Sequence, residues 1–282
     1  MTSLSGILWP FLSYYTEIAK NINRYAINDF NDKSAYAYYT SLNLSFGSMN
    51  MSLEYKFYNN FILGTGFNEP PALVKEHTYL VLNRSSHVSQ PFNEKGYQIE
   101  LFYTYPDASR LTVNHTLAIN NFAKEFIYQE YCIEYSTLLL KKHVFKLFLD
   151  YAKDPFKMEH NRISTGVYAD FIMNSSFGLK TDCEFQSLVR NSSLVKNIFI
   201  SITSDYRSKI SGNLTIEISN DPFLIAGNNK TWFGGSFGYK INSKNNIQLF
   251  AGQRRGGPAC NSGVCYEILD FKGIELRLKT RF

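Results

Sequence analysis

The last nine residues of the chain alternate between apolar and charged side chains and end on a phenylalanine. Because successive side chains of a β-strand point to opposite faces, this segment would have one apolar and one charged face. The first face comprises Ile274, Leu276, Leu278, Thr280 and Phe282, and the second comprises Glu275, Arg277, Lys279 and Arg281. A membrane barrel would expose the apolar face to lipid, whereas a soluble sandwich would bury it against a second sheet. The segment favours the closing strand of a transmembrane β-barrel.

The same two-residue period recurs along the chain. Residues 35–46 and 49–57 alternate on either side of a Gly47-Ser48 turn and predict a β-hairpin. The further predicted strands are residues 6–19, 76–84, 96–105, 110–120, 125–136, 144–152, 161–171, 176–188, 196–206, 209–219, 231–241, 245–254 and 269–282. Turn residues separate many of these runs, so the sequence predicts an all-β, antiparallel, up-and-down barrel of roughly fourteen strands.

Charged residues fall on the face of these strands that would line a barrel lumen. We expect Glu54, Lys56, Glu100, Glu130, Glu134, Lys180, Glu184, Arg254, Arg277 and Lys279 to be lumen-facing. A dry sandwich core could not solvate so many charges, which favours a wet interior. No linker rich in Pro, Gly and Ser divides the chain, so residues 1–282 are predicted to form a single domain.

Composition agrees with an outer-membrane barrel. The 20 Tyr and 23 Phe residues would supply aromatic girdles at the membrane interfaces. No window approaches the ~20 consecutive apolar residues that a spanning helix requires. The net charge of +5 is scattered along the chain, which argues against a nucleic-acid partner.

The amino terminus lacks the basic start of a secretory signal peptide, and its short apolar stretch contains Pro10. Either the numbering omits an export signal or the chain is the carboxy-terminal part of a larger barrel. The strand-like pattern from Gly6 to Ala19 favours the second alternative, with the first strands supplied upstream.

Two of the four cysteines, Cys260 and Cys265, lie in a Gly-rich connector with a separation that suits a small disulfide loop. The alternatives are unpaired thiols or half of a metal site, but no further Cys or His ligand lies nearby at metal spacing. We therefore predict a disulfide and no metal. Cys132 and Cys183 fall on opposite faces of their strands, which argues against a bond between them.

Arg254 and Arg255 precede two glycines, and this arrangement could bind an anion. A rim position near lipid head groups is the favoured interpretation.

No motif predicts catalysis. Glu76-His77 could act as an acid/base pair, but the preceding prolines more readily indicate a fixed loop geometry. Nucleophile elbows, phosphate-binding loops and zinc-binding helix motifs are all missing from the sequence. We expect neither enzyme activity nor a cofactor.

Two stretches carry a resemblance: residues 68–84, and residues 250–282 with their Gln-Arg-Arg-Gly-Gly and Cys-x4-Cys elements. From about residue 30 onward, the chain resembles an uncharacterised outer-membrane β-barrel family, a domain of unknown function, of Bacteroidota-type bacteria. The resemblance implies a bacterial outer-membrane location and a barrel fold, with no catalytic residues. Its partners would be outer-membrane lipid and the barrel-assembly machinery, which would recognise the strand ending at Phe282.

The function expected from these features is a porin-like passive pore or a transport-associated channel of unknown solute. A non-conducting binding or scaffold barrel with a plugged lumen is the main alternative. A barrel lipid hydrolase using His115 or His143, and a soluble all-β carbohydrate binder, are less favoured.

Overall fold

A computed structural model describes residues 2–22, 34–59, 61, 77–87, 93–121, 125–224, 230–261 and 264–280, without the side chains of residues 21, 22, 34, 258–261 and 264–267. The strands are β1 (Thr2–Trp9), β2 (Leu12–Ile22), β3 (Ser34–Phe46), β4 (Met49–Asn59), β5 (Glu94–Thr104), β6 (Arg110–Asn120), β7 (Phe126–Leu139), β8 (His143–Asp154), β9 (Glu159–Ile172), β10 (Phe177–Arg190), β11 (Ser193–Tyr206), β12 (Ile210–Ser219), β13 (Lys230–Lys240), β14 (Asn245–Arg254), β15 (Gly257–Asn261), β16 (Val264–Ile268) and β17 (Phe271–Thr280). The helical elements among these residues are α1 (Leu80–Arg84) and a 3₁₀ turn, Pro155–Lys157.

In the described part of the chain, fifteen strands form one antiparallel sheet in the order β1 to β14 followed by β17. β15 and β16 form a separate two-stranded hairpin. The prediction of an all-β antiparallel meander of roughly fourteen strands is confirmed, with fifteen strands in the main sheet.

Tight turns follow the odd-numbered strands up to β13. The predicted β3–β4 hairpin is confirmed: Phe46 pairs with Met49, and Gly47 takes the positive φ of 57° that its two-residue turn requires. The connections after β4 and β14 are instead the long segments 60–93 and 255–270. Strands in this sheet therefore have a tight-turn end and an end that carries the long connections.

Two sequence predictions of strands are wrong. Residues 77–84 of the predicted strand 76–84 contain α1, and residue 76 lies outside the described residues. Residues 6–19 form parts of two strands, because the chain turns at Pro10-Phe11 before Leu12 pairs back with Trp9. Pro10 has no backbone N–H to continue a ladder, which suits this turn.

The chain divides into two compact units: unit 1 is Met1–Lys75, Ser86–Ile133 and Asp150–His160, and unit 2 is Glu76–Ser85, Glu134–Leu149 and Asn161–Phe282. The expectation of one domain over residues 1–282 stays a prediction. In the ranges that the structure describes, no helix has the length and apolar character needed to span a membrane.

Burial in unit 1 is inverted relative to a water-soluble sheet. The buried strand residues include Lys56, Glu94, Asn114, Thr116 and Glu130. The exposed ones include Ile18, Leu42, Ile99, Tyr131 and Ile133. The sheet of this unit therefore has a buried polar face and an exposed apolar face.

Unit 2 has the same inversion. Its buried strand residues include Arg162, Ser164, Glu184, Gln186 and Glu217. Its exposed ones include Ile163, Leu214, Phe233, Ile274 and Leu276, of which Ile274 is 77% exposed. We call these two sides of each strand the polar face and the apolar face.

Candidate functional site

The candidate site is the set of polar-face residues in unit 2 that hold α1. Glu184 on β10 accepts hydrogen bonds from the first two backbone amides of the helix: Leu80 N donates to Oε1 at 2.9 Å and Val81 N donates to Oε2 at 2.7 Å. The N-cap residue, Tyr79, makes no side-chain capping bond. The side chain of a distant glutamate therefore does the work of the cap, because it accepts from amides that a helix leaves without partners.

The remainder of the short helix is held by amide, hydroxyl and guanidinium groups. Gln186 donates from Nε2 to the carbonyl of Val81 at 3.2 Å and accepts from Ser85 Oγ at 3.2 Å. Arg162 donates from Nη1 to the carbonyl of Ser85 at 2.6 Å. Since each of these strand residues is buried, α1 is fixed at both ends by polar groups that have no access to water.

An apolar contact supplements these hydrogen bonds. The Tyr79 ring stacks on Phe148 with the ring centroids 3.9 Å apart, and Val81 and Leu82 complete a small buried cluster. The Tyr79 hydroxyl donates to Glu134 Oε2 at 2.7 Å. Glu134 was predicted to be lumen-facing, and the structure places it beside α1.

Arg84, the last residue of α1, joins a buried charge network. Its Nη2 donates to Glu217 Oε2 at 2.8 Å and to the carbonyl of Arg255 at 3.2 Å. Arg255 Nη1 donates to the other oxygen of Glu217 at 2.8 Å. Burial lowers the pKa of Arg84 to about 10, against the opposing effect of Glu217. The guanidinium therefore remains charged near neutral pH.

Both arginines of the predicted anion or head-group contact have carboxylate partners within the chain. Arg255 pairs with Glu217, and Arg254 Nη1 pairs with Glu275 Oε2 at 2.7 Å. Arg254 also lies over the ring of Phe271, with 5.0 Å between its guanidinium carbon and the ring centroid. The contact with lipid head groups stays a prediction, while each guanidinium forms an ion pair within the chain.

A second polar cluster lies in unit 1. Lys56 and Glu94 form an ion pair at 2.7 Å with both side chains fully buried. His87 contacts Glu94 through Nε2 at 3.4 Å and Asp154 through Nδ1 at 2.9 Å. Burial by itself lowers the pKa of His87, but the hydrogen bonds to Asp154 and Glu94 outweigh burial and hold that pKa above its ordinary value. An imidazolium between two carboxylates therefore fixes residue 87 to the strand ends.

The remaining predicted lumen residues lie on the polar face. Glu54 accepts from the Tyr39 hydroxyl at 2.9 Å, and Glu130 is buried. Arg277 donates from Nε to Glu275, and Lys279 lines a cavity described below. In the predicted closing strand, Ile274, Leu276 and Leu278 are exposed along the apolar face of β17. Phe282 lies outside the described residues.

Cys260 and Cys265 are direct partners in the β15–β16 ladder. Their side chains lie outside the described part of the structure, so the disulfide stays a prediction that the backbone register favours. Cys132 is buried and Cys183 is exposed.

The histidines considered for a hydrolase make other contacts. His115 stacks on Tyr131 at 4.4 Å between ring centroids, and His143 Nδ1 accepts from the backbone amide of Ile172 at 3.1 Å. Among the described residues, neither imidazole is hydrogen-bonded to a serine hydroxyl. Residue 76 of the Glu76-His77 pair lies outside the described residues.

Sequence reasoning placed Glu184 in a lumen but missed what it binds. It also missed Arg162, Gln186 and Glu217. The sequence signal that could have identified these three residues is their position in alternating strands, where each has an apolar immediate neighbour. Sequence alternation identifies the face, while the partner on α1 depends on tertiary structure.

Residues 13–248 match the model of a family described as "Family of unknown function (DUF6029)". The match covers most of the chain, and the protein belongs to this family. No curated protein shows significant sequence similarity to it.

Proposed function

We propose that this protein is an integral β-barrel of the bacterial outer membrane, with its apolar face in lipid and its polar face around a lumen. The observation that carries the proposal is the inverted polarity of the strands in both units. Charged residues such as Lys56 and Arg162 are buried while Ile163 and Leu276 are exposed, and an exposed apolar face of this kind would be unfavourable in water. The same arrangement is the one that a lipid-exposed barrel wall requires.

The connections support an orientation within this proposal. Outer-membrane barrels have short periplasmic turns and longer extracellular loops. The tight-turn end would face the periplasm, and the long segments 60–93 and 255–270 would belong to the outer side. β17 runs toward the tight-turn end, so the terminal strand would present its last residues to the periplasmic barrel-assembly machinery.

Within the barrel class, we propose a pore or transport-associated channel for a small solute. Polar-face charges that remain accessible, such as Lys180, Asp205 and Arg277, would line a hydrated path, and α1 would narrow it. We assign no catalytic step to the protein. A phospholipid hydrolysis assay with His115→Ala and His143→Ala variants tests that assignment, because hydrolysis lost in either variant would contradict it.

The second candidate is a non-conducting scaffold barrel, and the fixation of α1 favours it. Glu184, Gln186 and Arg162 bind the helix with five hydrogen bonds among the described residues, which would keep a lumen obstructed. Such a barrel would present its long connections to a partner outside the cell.

Planar-bilayer recording distinguishes the candidates. The full chain, purified from membranes in detergent, is compared with Glu184→Ala, which removes two hydrogen bonds to α1, and with Glu275→Gln, whose hydrogen-bond partners are Arg254 and Arg277. Conductance steps in the wild type support the pore. Steps that occur only in Glu184→Ala support the scaffold with a plugged lumen. A chain that remains soluble and monodisperse without detergent would overturn the barrel itself.

A further inference from the structure

A cationic cavity lies at the tight-turn end of unit 2. Its volume is about 710 Å³, and its lining comes from β10 to β14, β17 and the turns 207–209 and 241–244. Five lysines line it: Lys180, Lys209, Lys240, Lys244 and Lys279. The carboxylate in the lining is Asp205, which pairs with Lys180 at 3.3 Å. The lining therefore carries a net charge of about +4, from five ammonium groups and one carboxylate.

The excess of positive charge in this cavity contrasts with other parts of unit 2, where arginines are paired with carboxylates. Arg84 and Arg255 share Glu217, and Arg254 and Arg277 share Glu275. Lys209, Lys240, Lys244 and Lys279, in contrast, form no ion pair within the described part of the chain. Uncompensated like charges around one cavity repel each other and favour a counter-ion between them.

Most of the strand residues in the cavity lining come from the polar face, and Ile210, Tyr239 and Ile247 of the apolar face also line it. Lys180 lies on the same side of β10 as Glu184 and Gln186, and Lys279 lies on the same side of β17 as Glu275 and Arg277, by the two-residue period of a strand. The remaining lining includes neutral hydrogen-bonding groups such as Ser211, Asn246 and Gln248. Ammonium groups surrounded by amide and hydroxyl groups suit an oxyanion with several charged oxygens.

We propose that this cavity binds a soluble, multivalent, phosphate-bearing solute. The inference rests on the proposed function and deepens it: the site would lie at the periplasmic mouth of the lumen and would define the solute class as anionic. A lipid head group offers the same phosphate chemistry, but Lys180, Lys240 and Lys279 lie on the polar face, which points away from lipid in the proposed barrel. A soluble anion is therefore the favoured source.

The test measures pyrophosphate binding to the full chain in detergent by isothermal titration calorimetry at 50 mM and 150 mM NaCl. Lys240→Gln/Lys279→Gln removes two cavity charges, and Lys196→Gln is the matched control, because Lys196 is an exposed lysine on the other face of β11 near its long-connection end. We expect pyrophosphate to bind the wild type and the control equally, and the double variant about tenfold more weakly, with weaker binding of each at the higher salt. Equal affinity in all three proteins, or no binding to the wild type, would overturn the proposal.

Two further measurements distinguish a lipid phosphate from a soluble anion, and a failure of the anion site from a failure of the proposed pore. Nanodiscs containing phosphatidylglycerol are compared with nanodiscs of phosphatidylcholine; abolition of pyrophosphate binding by the anionic lipid alone would assign the site to head groups and overturn the soluble solute. Because calorimetry needs no conductance, a chain that binds pyrophosphate but never conducts contradicts the pore and leaves the anion site supported. A conducting chain that binds no pyrophosphate contradicts the anion site alone.

Discussion

Arginine in place of Leu276 tests whether the apolar face contacts lipid. Leu276 lies in the middle of β17, opposite Leu249 on β14, and is 70% exposed. Thr280, at the tight-turn end of the strand, is four residues further on. At about 3.4 Å per residue and a strand tilt near 40°, Leu276 lies roughly 10 Å from Thr280 along the membrane normal. If Thr280 is at the edge of the apolar band, which is about 25 Å tall, Leu276 is roughly 10 Å inside it. The residue would therefore be close to the bilayer midplane.

The expected cost of Leu276→Arg follows from that depth. An arginine at the midplane of a barrel wall reduces the free energy of unfolding by about 2–4 kcal/mol, whereas a substitution at an exposed site in water changes it by no more than about 0.5 kcal/mol. The first range corresponds to a change of roughly 30- to 900-fold in the folding equilibrium. The two environments therefore predict effects that do not overlap.

Reversible guanidinium unfolding in phosphatidylcholine vesicles, followed by tryptophan fluorescence, measures this difference. The matched control is Leu140→Arg, because Leu140 is exposed in the tight turn after β7, where the cost should fall to about 0–1 kcal/mol. A Leu276→Arg variant as stable as the wild type, or only as destabilised as Leu140→Arg, would refute the lipid-facing assignment of β17.

Three other predictions concern the ends and connections of the strands. The raised pKa of His87 stabilises the folded chain fully below about pH 6.5, and this stabilisation is lost as the pH rises through the folded-state pKa. In His87→Gln, the free energy of unfolding should therefore decline less steeply between about pH 6 and 9. An equal slope in both proteins would contradict a charged imidazole. Cys260 and Cys265 are direct cross-strand partners, whose Cα atoms lie about 4.5–5.5 Å apart, within the range for a disulfide. When the chain from an oxidising compartment is alkylated without reduction, mass spectrometry should therefore show Cys260 and Cys265 without the alkyl group. Alkylation of all four cysteines would rule the bond out. Phe282→Asp should leave expression intact but remove the protein from the urea-washed membrane fraction, and normal insertion of that variant would count against a terminal assembly signal.

The sheet was predictable because its signal is local and repeated. In residues 35–57, a period of two on both sides of a Gly-Ser turn is enough to define a hairpin and its register. The charges at Lys56, Glu130 and Glu134 identify the polar face, since alternation assigns every second residue to the same side. Polarity and strand order therefore follow from neighbouring residues alone.

The two misassigned strands have different physical causes. In residues 6–19 the apolar pattern continues through Pro10, and the turn there becomes apparent only from the pairing of β1 with β2. In residues 77–84, Tyr79 to Leu82 form an apolar run that is too short to distinguish a buried strand from a buried helix. The decisive interactions come from residues more than a hundred positions away, such as Glu184 and Gln186, which no local pattern contains.

Glu184 consequently decides the conformation of a segment that its own sequence leaves ambiguous. A five-residue helix is too short to be stable alone, so α1 depends on the two hydrogen bonds that its amides make with this side chain. Glu184→Gln keeps the shape of the side chain but replaces one acceptor oxygen by an amide group, which leaves one buried helix N–H without its acceptor and should cost about 1.5–3 kcal/mol locally. Amide exchange in a peptide covering residues 79–87 should then accelerate by roughly 10- to 150-fold while the strands keep their protection. Glu275→Gln, which alters a partly exposed ion pair with Arg254 and removes no hydrogen bond to α1, should leave that peptide unchanged. Equal exchange in the wild type and Glu184→Gln would mean that the stacking of Tyr79 on Phe148 and the bonds of Arg84 hold the segment without the cap.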